Sequence, residues 1–269
     1  MKIFIDIETI PGQQPELKNE IAAQIAEVPP YEDPKCPRNI KKPETMREWQ
    51  ANTFPSLREA AQQKYQDDLK KREVAIEETW RKTALHGDQG EVICVAWAIE
   101  DNWPTVCYRH LHESEAALLK TVFALISEQL NKRNPNWVGH NVQFDLRFLF
   151  HRAVILGIKP PFDFYLESKP WSDVVQDTMV MWAGMRERIS LDHLCKTLGL
   201  QTKDQDLPNG EKIDGSKVWD FVKRGEIEKV AKYCEADVFR CRAIYKRINF
   251  IEQVAPIHSN QETEPQICC

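Results

Sequence analysis

Asp6 and Glu8 stand two residues apart in the segment KIFIDIETI. In a strand, period two puts both carboxylates on one face and turns Ile5 and Ile7 to the other. Two acids in an otherwise apolar strand are expensive to bury unpaired, and a bound cation relieves that cost. A solvated strand end is the other reading of a lone D-x-E. Asp145 closes a second segment, WVGHNVQFD (137–145), in which a short strand runs into a helix. A carboxylate in a first helical turn is favoured by the helix dipole, with or without chemistry. The third segment is YCEAD (233–237), where Tyr233 and Asp237 lie one turn apart on one helix face. A buried tyrosine with a partner explains that pair as well as a site does. Taken together, Asp6, Glu8, Asp145 and Asp237 supply four hard oxygen donors and no thiolate, a set that suits Mg²⁺ or Mn²⁺ rather than zinc. Two such ions about 3.5–4 Å apart clamp the attacking and leaving oxygens of phosphodiester hydrolysis.

The elements that must position these residues follow from periodicity. Residues 2–7 read as a strand, and 91–99 and 104–110 as two more, with Asp101-Asn102 in the turn between them. Residues 113–132 repeat apolar side chains at helical spacing. The segment 137–140 is a short strand, with Asn141 as N-cap of a helix running to about 156. Phe144 and Phe148 share a stripe that packs inward, and His140 reads as a hydrogen-bonded strand-end histidine or as a ligand. A short strand at 174–176 precedes a helix near Asp177, which caps that helix or assists the site. Helices follow at 191–198, stopped by Gly199, then at 215–223 and 226–250. The order predicts an α/β fold: a mixed sheet flanked by helices, spanning 1–250, with a tail at 251–269.

One long segment interrupts that pattern after the first strand, from about 11 to 90. Its prolines at 29, 30, 34, 37 and 43 mark an extended stretch, and from Pro43 to about Thr83 the composition turns helical, with Asp67/Lys71 and Asp68/Arg72 as i,i+4 pairs. Between Arg38 and Lys82 there are 11 basic and 8 acidic residues. This helical insertion is either a solvated arm packed by Trp49, Phe54, Tyr65 and Trp80 or a surface that touches substrate.

The whole chain of 269 residues has a formal charge of −5, which at first argues against a polyanionic partner. Two divalent ions on four carboxylates would cancel most of it, so the charge excludes little. The eight cysteines include no C-x-x-C pair, which argues against zinc, and several lie in apolar runs as reduced, buried thiols. The N-terminal segment carries two acids within eight residues and does not read as a signal peptide. No apolar run reaches membrane-spanning length. The expectation is a cytoplasmic protein with no membrane.

FIDIET (4–9), VGHNVQFDLRFL (138–149) and YCEADV (233–238) resemble the three exonuclease motifs of the DEDD superfamily. They are most similar to stand-alone exonucleases related to the proofreading domain of family B DNA polymerases. SLDHLCKTLGL (190–200) resembles the segment before the third motif. The resemblance covers about 1–10 and 91–250. It implies a ribonuclease H-like fold and two-metal 3′→5′ hydrolysis. On this sequence it makes Asp6, Glu8, Asp145 and Asp237 the metal ligands, and it has Tyr233 align the attacking water. It puts Thr9 and Asn141 on the terminal nucleotide and Phe144 in the wall of the site. Position 232 is Lys, which places the chain in the tyrosine branch rather than the histidine one. The implied substrate is the 3′ end of single-stranded or frayed DNA, in proofreading or DNA repair. The chain is too short to carry a polymerase as well, so a polymerase or repair protein would be served in trans. An exoribonuclease and a non-catalytic polymerase accessory are the competing readings, the second opposed by the presence of all five site residues.

Overall fold

The computed structural model describes residues 1–169, 172–202 and 213–251, together with the backbone of 267–268. They fall into two compact units, one of residues 1–12 with 83–269 and one of residues 13–82.

In the larger unit the sheet is mixed. Strand β1 (Lys2–Ile10) pairs antiparallel with β2 (Glu91–Ile99), which pairs antiparallel with β3 (Thr105–Tyr108). On its other side β1 pairs parallel with β4 (Asn136–Gly139), and β4 with β5 (Val175–Asp177). A two-residue strand, β6 (Ile267–Cys268), extends the β3 edge, so the order is β5-β4-β1-β2-β3-β6. β1 and β2 sit in the middle, and EVICVAWAI is almost wholly buried, as expected of a strand covered on both faces.

The two faces carry two cores. Ile3, Ile5 and Ile7 pack with Val95 and Trp97 against helices α4 (Glu115–Gln129) and α5 (Val142–Ile155). Phe4 and Ile10, with Cys94 and Ala96, pack against α7 (Leu191–Thr197), α8 (Val218–Lys223) and α9 (Ile227–Ile248). Alternation along β1 therefore turns Asp6 and Glu8 toward α9, as period two requires. Among the described residues this is the mixed sheet flanked by helices expected of a ribonuclease H-like fold.

Helix caps set several boundaries. Ser114 and Ser190 accept from Ala117 and His193 at the starts of α4 and α7. Gly199 ends the α7 turn at φ +66°, where a Cβ would be strained. Asp177 accepts from Met179 to cap α6 (Thr178–Ala183). Asn141 differs from expectation. It occupies the N-cap position of α5 in a left-handed conformation (φ 63°), and its side chain makes no cap bond.

The smaller unit holds α1 (Leu17–Gln24), α2 (Pro43–Asn52) and the 29-residue α3 (Phe54–Lys82). Helix α1 falls in a stretch whose prolines had masked it. The expected Asp67/Lys71 and Asp68/Arg72 pairs are replaced by others. Lys71 pairs with Asp68, and Arg72 donates instead to the carbonyls of Ala22 and Ala26 at 2.7 and 3.1 Å, tying α3 to the end of α1. The basic excess of 38–82 also vanishes over the folded unit, because residues 13–37 carry two lysines against five acids.

Candidate active site

The acidic strand, the glycine-linked helix start and the C-terminal helix converge on one end of β1. Asp6 and Glu8 lie opposite Ala96 and Cys94 in the β1–β2 ladder, and the register shifts between Glu8 and Thr9. Such an irregularity re-aims side chains where a sheet stops being regular. Helix α9 lies across this face, pinned at the spot by the Cys234 thiol, which donates to the Asp6 carbonyl at 3.4 Å. That contact brings Tyr233 and Asp237, on the same side of α9, over the two strand carboxylates.

Asp6, Glu8 and Asp237 each offer an oxygen within 4.8 Å of the others. Glu8 and Asp237 are buried and Asp6 is half-buried. Three carboxylates this close repel one another in a poorly solvated setting, which a divalent cation would reverse. The donors are all oxygen, although the Cys234 thiol is nearby, so the set fits a hard cation.

Asp145 joins from the other side of β1. Gly139, at the end of β4, lets α5 start close against the sheet: a Cβ there would stand 2.6 Å from Val142 Cγ2 and 3.2 Å from the Ile5 carbonyl. One turn into α5, Asp145 is 5% exposed and accepts from the Ile7 N–H at 3.1 Å. Burial holds its carboxyl well above the usual range, reinforced by the charge of Asp6 and, less strongly, of Asp177. It stands one step behind the three clustered oxygens, electrically coupled to them through Asp6.

Tyr233 is buried and its hydroxyl hydrogen-bonds the Asp237 carboxylate. Burial first, then the charges of Glu8, Asp237 and Asp6, push the phenol far above its ordinary range. In the metal-free cluster the hydroxyl is therefore held as a protonated donor.

The remaining sequence-predicted residues have partners of their own. Thr9 donates its hydroxyl to the Ala84 carbonyl at 2.6 Å, leaving its oxygen able to accept. Asn141 gives its backbone N–H to Asp177 Oδ1 at 2.9 Å, so Asp177 both caps α6 and holds the turn before α5. Phe144 packs beside Phe148, with ring centroids 5.7 Å apart, and is only partly buried. His140 bonds Thr178 Oγ1 and the Ile189 carbonyl through its two ring nitrogens, which makes it a structural tie.

One residue beside the site escaped the sequence reading. Arg240, also buried, sets Nη1 2.9 Å from Asp237 Oδ1. The signal was present as an i,i+3 opposite-charge pair on a helix, but such pairs are common on solvated faces.

Residues 89–265, more than half of the chain, match a family described as predicted 3′-5′ exonucleases related to the exonuclease domain of PolB. The matched stretch contains Asp145, Tyr233 and Asp237 and starts after β1. No curated protein matches. Among solved structures, the chain is similar to the family B DNA polymerase from the hyperthermophilic archaeon Pyrobaculum calidifontis at 20% identity and a TM-score of 0.45. That likeness covers 60% of this chain and 22% of the polymerase chain. Among the described residues no helix is long and apolar enough to cross a membrane.

Proposed function

The chain belongs to this family of predicted 3′-5′ exonucleases related to the exonuclease domain of PolB, and from that membership we propose that it removes nucleotides one at a time from the 3′ end of single-stranded or frayed DNA. The observation that carries the proposal is the gathering of Asp6, Glu8 and Asp237 oxygens within 4.8 Å, with Asp145 behind them and the Tyr233 hydroxyl beside them.

Asp6, Glu8, Asp145 and Asp237 are the residues that would hold two divalent cations, Mg²⁺ or Mn²⁺. Bound there, such ions supply Lewis acidity toward the phosphodiester and acidify water. The rest is done by this chain. A cation bound there would favour the charged form of Asp145, which burial and the charge of Asp6 disfavour without metal. The Tyr233 O–H donates a hydrogen bond to the Asp237 carboxylate, so the lone pairs of its oxygen can accept a hydrogen from the attacking water and fix its direction. Because the phenol stays protonated, Tyr233 orients the nucleophile and leaves its deprotonation to other groups. Asn141, whose side chain makes no cap bond, and the acceptor oxygen of Thr9 would contact the terminal nucleotide. Phe144 offers a partly exposed ring for a base.

A buried cluster that must meet a terminal phosphodiester favours a strand end over a paired duplex. The decisive experiment incubates the purified protein with 5′-labelled single-stranded DNA, duplex DNA and RNA, in Mg²⁺, Mn²⁺ or EDTA. A ladder shortening from the 3′ end of single-stranded DNA, dependent on metal, is expected. Equal or faster RNA shortening would overturn the DNA assignment, and full activity in EDTA would overturn the metal assignment.

A further inference from the structure

Asp237 belongs both to the carboxylate cluster and to a buried ion pair. Its carboxylate faces Asp6 and Glu8 in the cluster, and its Oδ1 is also held by Arg240 Nη1 at 2.9 Å. The second arm of the same guanidinium, Nη2, donates to the Thr202 carbonyl at 3.2 Å. The Arg240 and Asp237 side chains are only 4% and 6% exposed. Two anchors leave the guanidinium little freedom to swing, and a planar, permanently charged fork fixes the plane of any carboxylate it grips.

The other buried arginines show what is unusual here. Arg109 grips Glu91 and Arg152 grips Glu115, whose Oε1 also accepts from the Val92 N–H. Neither glutamate belongs to the carboxylate cluster, so both pairs tie elements of the core together. Arg240 alone among the three grips a carboxylate that also belongs to the cluster.

We propose that Arg240 is a positioning residue for the metal centre: by gripping Oδ1 of Asp237 it fixes the orientation in which the Asp237 carboxylate faces Asp6 and Glu8. The inference rests on the metal-dependent reading above. Without the grip, the Asp237 carboxylate loses its charged anchor, and its orientation toward Asp6 and Glu8 is less well defined. A purely electrostatic role predicts the opposite sign. A buried positive charge beside the site repels cations, so its removal would tighten metal binding.

The test uses the metal alone, with the full chain and no nucleic acid. Free Mn²⁺ is read by electron paramagnetic resonance as it is titrated into wild type, Arg240→Lys, Arg240→Gln and Arg240→Met. Circular dichroism melts in EDTA report folding. Loss of a group that orients a metal ligand typically weakens affinity about 10–100-fold, and Arg240→Met is expected in that range. Arg240→Gln, which keeps a donor, should recover part of the loss. Arg240→Lys, which keeps charge without the fork, should remain about tenfold weak. If Arg240→Met does not fold, Arg240→Gln and Arg240→Lys decide. Wild-type Mn²⁺ affinity, or a tighter one, in the folded variants overturns the inference and leaves the metal reading standing. A wild type that binds no Mn²⁺ overturns both.

Discussion

The backbone N–H of Ile7 donates to Oδ1 of Asp145 at 3.1 Å across 138 residues of sequence. A single amide, set between Asp6 and Glu8 on β1, thereby holds the second acidic motif against the first. The bond needs only an acceptor oxygen, whereas the proposed chemistry needs a full negative charge.

That difference makes Asp145→Asn informative. The amide oxygen keeps the Ile7 bond, but the metal ligand is lost, so exonuclease activity should fall by several orders of magnitude. Stability should move the other way. Burial and Asp6 raise the Asp145 pKa in the metal-free fold. A raised acid contributes stability that is complete below its unfolded value near ~3.9 and is lost as pH climbs through the folded value. Asparagine cannot ionise and escapes that loss. In EDTA its Tm should exceed wild type at pH 7–8, by about 2–4 °C per kcal/mol relieved, and the gap should close toward pH 4. Calorimetry showing a lower Tm at pH 8 would contradict this account of Asp145.

Metal should stabilise the fold because it binds the folded cluster alone. Saturating Mn²⁺ at about 100 times its dissociation constant adds roughly 2.7 kcal/mol. Titration with Mn²⁺ should raise Tm progressively, EDTA should reverse the rise and abolish hydrolysis, and added Mn²⁺ should restore both. Ca²⁺ should raise Tm while supporting little turnover, since its flexible coordination orients reactants poorly. A Tm indifferent to Mn²⁺ would remove the cluster as the binding site.

Tyr233→Phe should lower kcat by roughly 10²–10⁴-fold with Mn²⁺ affinity little changed. Because the hydroxyl stays protonated, the shape of the pH–rate profile should match wild type, displaced downward at every pH. An alkaline limb that disappears with the substitution would show the phenol acting as a base instead.

In the smaller unit, Arg72 and its lysine neighbours should separate. Arg72→Ala removes the tie to the carbonyls of Ala22 and Ala26 and should destabilise residues 13–82, seen as faster proteolysis there. Lys70→Ala with Lys71→Ala should leave that unit folded. Any weakening of DNA binding by the lysine pair alone, strongest at low salt, would mark an electrostatic contact. Unchanged binding would mean the unit acts without these charges, in keeping with its balanced composition.

Much of this arrangement was legible in sequence because it is written in short periods. Alternation in KIFIDIETI put Asp6 and Glu8 on one face, helical spacing put Tyr233 and Asp237 on one side of a helix, and Gly199 marked the end of the helix at 191–198. The losses were of three kinds. Helix α1 was hidden because nearby prolines dominate the local signal while its support, from Arg72, comes from far along the chain. Asn141 was expected to cap α5, but Asp177, 36 residues away, holds its N–H instead, and no local rule sees that partner. Arg240 was passed over because its pairing with Asp237 looks like any solvated i,i+3 pair until both are buried. Propensity reads neighbours in sequence, and these three features depend on neighbours in space.

The Gly12 N–H meets Thr83 Oγ1 at 3.0 Å, so the chain leaves and re-enters the larger unit at nearly one point. Strand β1 must find β2 more than eighty residues downstream, a separation that slows folding when the intervening chain is loose. Loop-closure entropy grows only logarithmically with length, but an arm that folds locally reduces it further. If α1 and α3 zip together first through Arg72, the effective loop shrinks to the Gly12–Thr83 junction, and β1 is delivered to β2 as though the two were consecutive hairpin strands. The insertion would then act on the order of assembly, its own closure preceding the central ladder on which the acidic strand depends.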